Sequence, residues 1–568
     1  MKNYFKLLIV SLSLLSLVGC KEESNEKVDL LAPAKIDMSK PNPSLTRSNK
    51  DILIVGTSEA AGNFLPIYYA TAYDAPASAL VFESLLSMDK SGQYIPWLAE
   101  SLPEITDNGK TYTFKIKKGI KFQNGKELNA DDVVFSYTIL ADPSYDGRFN
   151  SIVNNMVGYD DYSTGKNKNF VGVEKLDDYT VRFNFKENFV TNITSFSHAI
   201  MPSDYYAYEY KNLTPVKAKM QNLCGTGPYK FTRYVPRQYF ELQANENYWG
   251  VKPQIEKLIV KFVTDSTDVQ ELIKGDIDIL PDMIEPEKLE LASNTGYLDK
   301  VQYLRHGYGY LKFNTQDPIL QDVKVRQALN YALDKEAFID LFFKGLGVVI
   351  NAPISKAFWT YDPALESKII NYSYDPKKAD ELLNEAGWIK ASDGYRYKDG
   401  KKLSLLWTSI KDIRLVDILT PILIQNWKEL GVDLTIQPMD FNSLMEKVYV
   451  ERKGFSMFNM ATSESSFPDP STQWHSSYDI PGGNNTCQFR DGKNDQILDQ
   501  MIRELDKDKY KALWQEWVIN INEKAPMIPL YTNTYTTLVN RRVKNFKPDT
   551  LWPWYAAILD AQLEVNEQ

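Results

Sequence analysis

From Gly19 to Gln568 the sequence holds no apolar run of bilayer-spanning length, so a chain of this size has to bury several hydrophobic cores in water. At 568 residues it is expected to form two or three domains rather than one. Its apolar share (43%) and charged share (24%) are those of a globular protein. Aromatic residues make up 13%, with 35 tyrosines, enough to fill cores and still line a broad, adaptable surface. The formal net charge of −9, with no basic tract, argues against nucleic acid as a partner.

The first twenty residues carry a different signal. Lys2 and Lys6 precede the apolar run Leu7 to Val18, which ends in "LVGC" at Cys20. A charged start, a short apolar run and a small residue before cysteine read as a lipoprotein signal peptide (1–19), with cleavage before a lipid-carrying Cys20. Residues 20–50, rich in charge, Pro, Ser and Asn, read as a flexible tether. The expected location is outside the cytoplasm, on the periplasmic side or cell surface, with the lipid as the sole membrane contact.

Beyond the tether, strands and helices alternate. "DILIVG" opens the body as an apolar strand. "TYTFKIKKGIKF" (111–122) puts Tyr112, Phe114 and Ile116 on one face and predicts a return strand after the Lys118–Gly119 turn. "NADDVVFSYTIL" predicts a helix capped by Asn129, with Asp131 and Asp132 at its positive end. "DPKKADELLNEAGW" predicts another, capped by Asp375, started by Pro376 and stopped by Gly387. Catalytic signatures are missing: no GxSxG, HExxH, phosphate loop or CxxC, and only three histidines. Besides Cys20 the sequence holds two cysteines, Cys224 and Cys487.

The order of several segments resembles the family 5 extracellular solute-binding proteins, the oligopeptide-, dipeptide- and nickel-binding receptors of ABC transporters. The resemblance is carried by residues 80–140 ("LVFESLLSMDK…VVFSYTIL"), 224–250 ("CGTGPYKF…NENYWG"), 311–339 ("LKFNTQDP…DKEAFI"), 374–388 and 525–532 ("APMIPLYT"). It implies an α/β, two-lobed fold of the type II periplasmic-binding-protein kind (cluster C), with an extra subdomain in lobe I and two hinge strands. On that map lobe I uses 51–95, 200–310 and 526–568, the inserted subdomain 96–199, and lobe II 311–525. The hinges fall near "YLKFN" and "APMIPLY". A ligand enclosed between the lobes stabilises the closed form that docks on a permease.

The resemblance also nominates contacts. The turn "TSEAAGNFLP" (57–66) points to Ser58, Glu59, Asn63 and Phe64 beside the ligand backbone, and "YDAP" to Asp74 as an acid approaching it. "TSIKDIR" (408–414) offers Lys411 or Arg414 for a peptide carboxylate. "SSFPDPSTQW" (465–474) combines a rigid Pro-Asp-Pro turn with the family's cleft loop. In peptide-binding relatives an acid four residues before the proline pairs with the ligand's α-ammonium. Here Pro470 aligns with that proline and Ser466 stands where the acid would be. Asp469 aligns with a second, more structural acid. Either Glu464 or Asp74 compensates or the ligand lacks a free amino terminus, with Phe467 and Trp474 as aromatic neighbours.

The function implied is a lipid-anchored receptor of an ABC importer for oligopeptides or peptide-like solutes, a monomer with permease subunits as partners and without metal or cofactor. An oligosaccharide receptor with Trp474 as a sugar platform, and a surface signalling receptor on the same fold, are the alternatives. A hydrolase using paired carboxylates has no supporting motif.

Overall fold

The computed structural model describes residues 30–69 and 71–565; Cys20 and its signal peptide lie outside them. A 12-stranded mixed sheet forms the frame. In chain order its strands are β1 (Leu53–Thr57), β2 (Tyr229–Val235), β3 (Tyr239–Ala244), β4 (Lys257–Phe262), β5 (Ile279–Met283) and β6 (Leu298–Leu304). The remainder are β7 (Gly307–Phe313), β8 (Gly347–Val349), β9 (Ser404–Ile410), β10 (Asp433–Met439), β11 (Met457–Ser463) and β12 (Met527–Asn540). Their spatial order is β10-β9-β11-β7-β12-β5-β1-β4-β3-β2, with β6 and β8 also paired to β12. Strands β1–β5 lie on one side of β12, referred to below as lobe I, and β7 with β9–β11 on the other, referred to as lobe II.

Period-two alternation sorts the strand residues into separate cores. Leu53 and Val55 of β1 enter one core and Ile54 the other. Leu311 and Phe313 of β7 share the core of Ile54, whereas Tyr308 and Tyr310 face a third. One face of the sheet is therefore covered continuously across both lobes. On the opposite face two cores stand apart, one on lobe I and one on lobe II.

Strand β12 joins them. Its residues Met527 to Tyr531 pair with β7, and Thr536 to Val539 pair with β5. Both partners run antiparallel to it, and β1 is parallel to β5 while β9 is parallel to β11. The carboxyl ends of β1 and β5 in lobe I, and of β9 and β11 in lobe II, thus converge on the middle of β12. Loops that follow those ends face one another.

Lobe I carries a further four-stranded sheet (Glu104–Thr106, Thr111–Lys115, Thr180–Asn184, Val173–Asp177). Tyr112, Phe114 and Ile116 are buried as their alternation predicts. The return strand is a correction: residues 111–115 pair with 104–106 and 180–184, and after the turn only a Lys121–Glu127 bridge forms. The apolar face found a more distant partner than the local turn offered. The helix Ala130–Ala141 has a full capping box from Asn129 and Asp132. Gly225 and Gly227 of "GTGPY" lie so close to the Leu80 and Val81 carbonyls that a Cβ would stand 2.1–2.6 Å from their oxygens.

The tether reading is corrected for residues 30–50, which dock on the body. Leu30 is buried in the core shared by both lobes. The Asn42 and Asn540 amides pair reciprocally at 2.7 and 2.9 Å. Arg47 reaches Asp278 at 2.5 Å, and Asp278 is also held by the fully buried Arg542 at 2.8 Å. Ion pairing and amide pairing are invisible to a composition argument. Cys224 and Cys487 are free, buried thiols in separate cores.

Candidate functional site

The space above the middle of β12 lies between the two separated cores, where the strand ends converge. In open α/β sheets, ligands bind outside the carboxyl ends of strands, and the same logic marks this cleft. Two hollows extend it. One of about 680 Å³ lies within lobe I and its extra sheet, lined by Tyr69, Ile95, Trp97, Phe149, Trp552 and Tyr555 among others. A second of about 500 Å³ separates residues 151–195 from lobe II residues Asp469, Ser471, His475 and Arg503. Ile152 and Thr194 line both, so the two hollows adjoin. Volumes of this order suit a ligand larger than a single amino acid.

The outer rim is shut. Val190 donates its N–H to the Ile502 carbonyl at 2.7 Å, and Arg503 pairs with Glu187 at 2.8 Å while lying over the Phe189 ring. Lys507 bonds Gln93 at 2.5 Å. Elsewhere, Arg414 opens the helix Arg414–Leu430 after β9 and meets Glu287, in the helix Pro286–Ser293 after β5, at 3.5 Å. Lys344 joins the same Glu287 at 3.0 Å. These contacts bridge the two lobes.

The nominated residues divide into three groups. Ser58, Glu59, Lys411 and Ser466 are exposed, with Asn63 and Phe467 half-buried, all on the converging loops. Phe467 packs edge-on against Tyr510 at 5.4 Å. A second group is committed to structure. Phe64 is fully buried among Phe231, Tyr234 and Phe240. Asp74 is fully buried, and its carboxylate accepts from the N–H groups of Gly62, Asn63 and Thr71 and from the Thr71 hydroxyl, at 2.9–3.3 Å. It holds the 57–66 loop in shape and has little capacity left for a ligand. Trp474 is 1% exposed, packed beside Trp517 with the Lys312 ammonium 4.8 Å from its ring, so it offers no sugar platform. Arg414 spends its charge on Glu287 and stacks over Phe342.

The third group is acidic and faces inward. Glu464 borders a void of about 10 Å³ with Tyr308, Trp474 and Trp517. Burial pushes its carboxyl up, and the nearby Lys312 ammonium pulls it back down. Asp469 Oδ1 accepts from both the Ser471 amide and hydroxyl, at 3.0 and 2.6 Å, fixing the loop as a turn. Burial raises its carboxyl against those bonds. Asp74 therefore has no carboxylate oxygen to spare for the role of the acid missing at Ser466, whereas Glu464 keeps Oε1 buried without a hydrogen-bond partner beside the void.

Sequence reading missed Tyr69, Phe149, Trp97 and Tyr555, which belong to segments far apart in the chain. It also missed Asp282 and Arg305. Arg305 bonds the Thr462 carbonyl at 3.1 Å, forms no ion pair among the described residues, and leaves its buried Nε without a hydrogen-bond partner. No group of residues suited to hold a metal ion occurs among the described residues.

Comparison with known proteins agrees with this architecture. Residues 93–485 match the model of the bacterial extracellular solute-binding proteins, family 5. The oligopeptide-binding protein AppA of Bacillus subtilis is 29% identical over 493 residues, covering 84% of this chain and 86% of that one. Heme-binding protein A of Haemophilus influenzae is 27% identical, covering 88% and 90%. The structure of the B. subtilis AppA with a nonapeptide superposes with a TM-score of 0.70 at 26% identity, over 90% of this chain and 99% of that chain. NikZ of Campylobacter jejuni, in complex with Ni(L-His), gives 0.72 at 25% identity, over 90% and 99%. Two lobes, a mixed α/β sheet and a match over most of the chain lead to one assignment: this chain belongs to the family 5 bacterial extracellular solute-binding proteins.

Proposed function

We propose that the protein is a lipid-anchored receptor of an ABC importer, capturing oligopeptides or peptide-like solutes in a cleft that closes on them. The observation that carries this reading is the pair of adjoining hollows, about 680 and 500 Å³, beside a cleft with a closed rim. An extended ligand can occupy such a space, with its backbone along the loops after β1 and β11 and its side chains in the hollows. The relatives described as oligopeptide- and dipeptide-binding support it. In this reading β7 and β12 are the hinge strands, and the lobe boundaries follow the map given above. Cys20 carries the lipid, and permease subunits receive the closed form.

The burial of Trp474 weighs against a carbohydrate receptor built around that ring. Calorimetric titration with a mixture of synthetic peptides, against a maltodextrin mixture, tests the ligand class. Saturable heat with peptides alone is expected, and heat with maltodextrins alone would overturn the reading. Replacing Cys20 with Ala should move the protein from the membrane to the soluble fraction.

A further inference from the structure

We propose that Asp282 is the cation anchor of the cleft, holding an ammonium or guanidinium group of the ligand in the role left empty at Ser466. The inference rests on the cleft being the ligand site but not on the ligand being a peptide.

Backbone geometry comes first. Leu280 pairs with Leu538 and Met283 with Thr536, so β5 carries one more residue than β12 across this interval. Such a bulge redirects a side chain, and Pro281 suits it because the missing N–H would have no ladder partner. Asp282 sits in the bulge with φ of 60°, a left-handed conformation uncommon for a residue with a Cβ. Its N–H points to the Thr537 hydroxyl at 3.4 Å. Strained residues beside a cleft recur at ligand sites, and here the strain coincides with the carboxyl end of a strand that faces the opposite lobe.

Chemistry comes second. Asp282 is exposed to solvent, yet protein crowds it enough that desolvation raises its carboxyl above the usual range. Oδ1 accepts from the Tyr303 hydroxyl, which also contacts Thr537 at 3.1 Å. Oδ2 has no hydrogen-bond partner and the carboxylate no ion-pair partner among the described residues. Tyr303, which holds Oδ1, packs edge-on against Tyr535 with ring centroids 6.3 Å apart, and burial with the Asp282 charge raises the hydroxyls of both. A carboxylate beside a tyrosine pair is a setting for an organic cation: the charge pairs with oxygen and the attached CH groups can lie against a ring. Burial and the Asp282 charge also raise the hydroxyl of Tyr555, which lines the 680 Å³ hollow that would take the ligand's apolar body.

The test compares wild-type protein with Asp282→Asn and Tyr303→Phe. Asn keeps the acceptor for Tyr303 but removes the charge; Phe keeps the charge and frees Oδ1. Each is offered two probes, a mixture of synthetic peptides lacking Lys, Arg and His, and the low-molecular-weight fraction of yeast extract. Both probes are used free and after acetylation of their amines, and captured masses are read by native mass spectrometry. The wild type should prefer the free-amine forms at least tenfold, Asp282→Asn should lose that preference with an unchanged melting temperature, and Tyr303→Phe should keep it. Amine-dependent capture from the extract without capture of peptides supports the anchor while overturning the peptide reading. Equal capture of free and acetylated forms by wild type, persistence of the preference in Asp282→Asn, or no capture from either probe overturns the anchor.

Discussion

Lys335 starts the helix Lys335–Phe343 at 2% exposure, its ammonium donating to Asn351 Oδ1 at 3.0 Å and the Ile350 carbonyl at 3.3 Å. It forms no ion pair among the described residues. Burial lowers its pKa from 10.5 to about 7, with Glu336 opposing the shift weakly. The sign follows: between about pH 7 and 10.5 the unfolded chain holds the proton and the folded chain releases it, so stability rises with pH across that window. Below it the burial penalty is fully present. Urea unfolding of wild type and Lys335→Met at pH 7 and pH 9 isolates the effect. The variant should be more stable at pH 7, and the difference should shrink by on the order of 1 kcal/mol per pH unit. Parallel stabilities at both values would mean the ammonium is not penalised.

At the level of elements, the docked segment 30–50 is held by few but well-buried contacts. Asp278 and Arg542 are both completely buried, and Asp278 is shared with Arg47 and the Ile54 N–H. Replacing Asp278 with Ala would strand the Arg542 guanidinium and should cost about 3–5 kcal/mol in denaturant unfolding. Arg47→Ala leaves the inner pair intact. It should cost about 2 kcal/mol and open residues 30–50 to limited proteolysis, with fragments read by N-terminal sequencing. Unchanged cleavage would show that Leu30 and Asn42 suffice.

The same segment marks where sequence reading stops. Asn129, Asp375, Pro376 and Gly387 announce their helices because capping is a local affair, settled within a few residues. The buried faces of β1 and of residues 111–116 follow from alternation in the same way. Asp282 was not legible, since its meaning depends on a bulge against β12 and on Tyr303 and Tyr535, brought in from elsewhere in the chain. Trp474 was misread for the opposite reason. It adjoins the cleft loop in sequence, but Trp514 and Trp517 give it a place in the core.

For the whole molecule, the rim contacts bear on how closure is set. Each is polar and lies at the edge, and the Arg503–Glu187 pair is about half exposed on both sides. Exposed pairs of this kind contribute roughly 0.2–1 kcal/mol. In the proposed transport reading, closure is therefore only weakly held by this rim, and a ligand spanning the cleft would supply the rest through differential contact with both lobes. Small-angle scattering should show the radius of gyration falling when ligand saturates the protein. Arg503→Ala should loosen the rim, and because Arg503 also lines the hollow of about 500 Å³ the affinity loss should reach at least the roughly two- to fivefold that the rim pair alone accounts for. The ligand-bound radius should be unchanged. A variant that stays open at saturating ligand would give the rim a larger share in closure than its exposure implies. A radius that never responds to ligand would mean that capture does not proceed by lobe movement, and the transport reading would lose its mechanical basis.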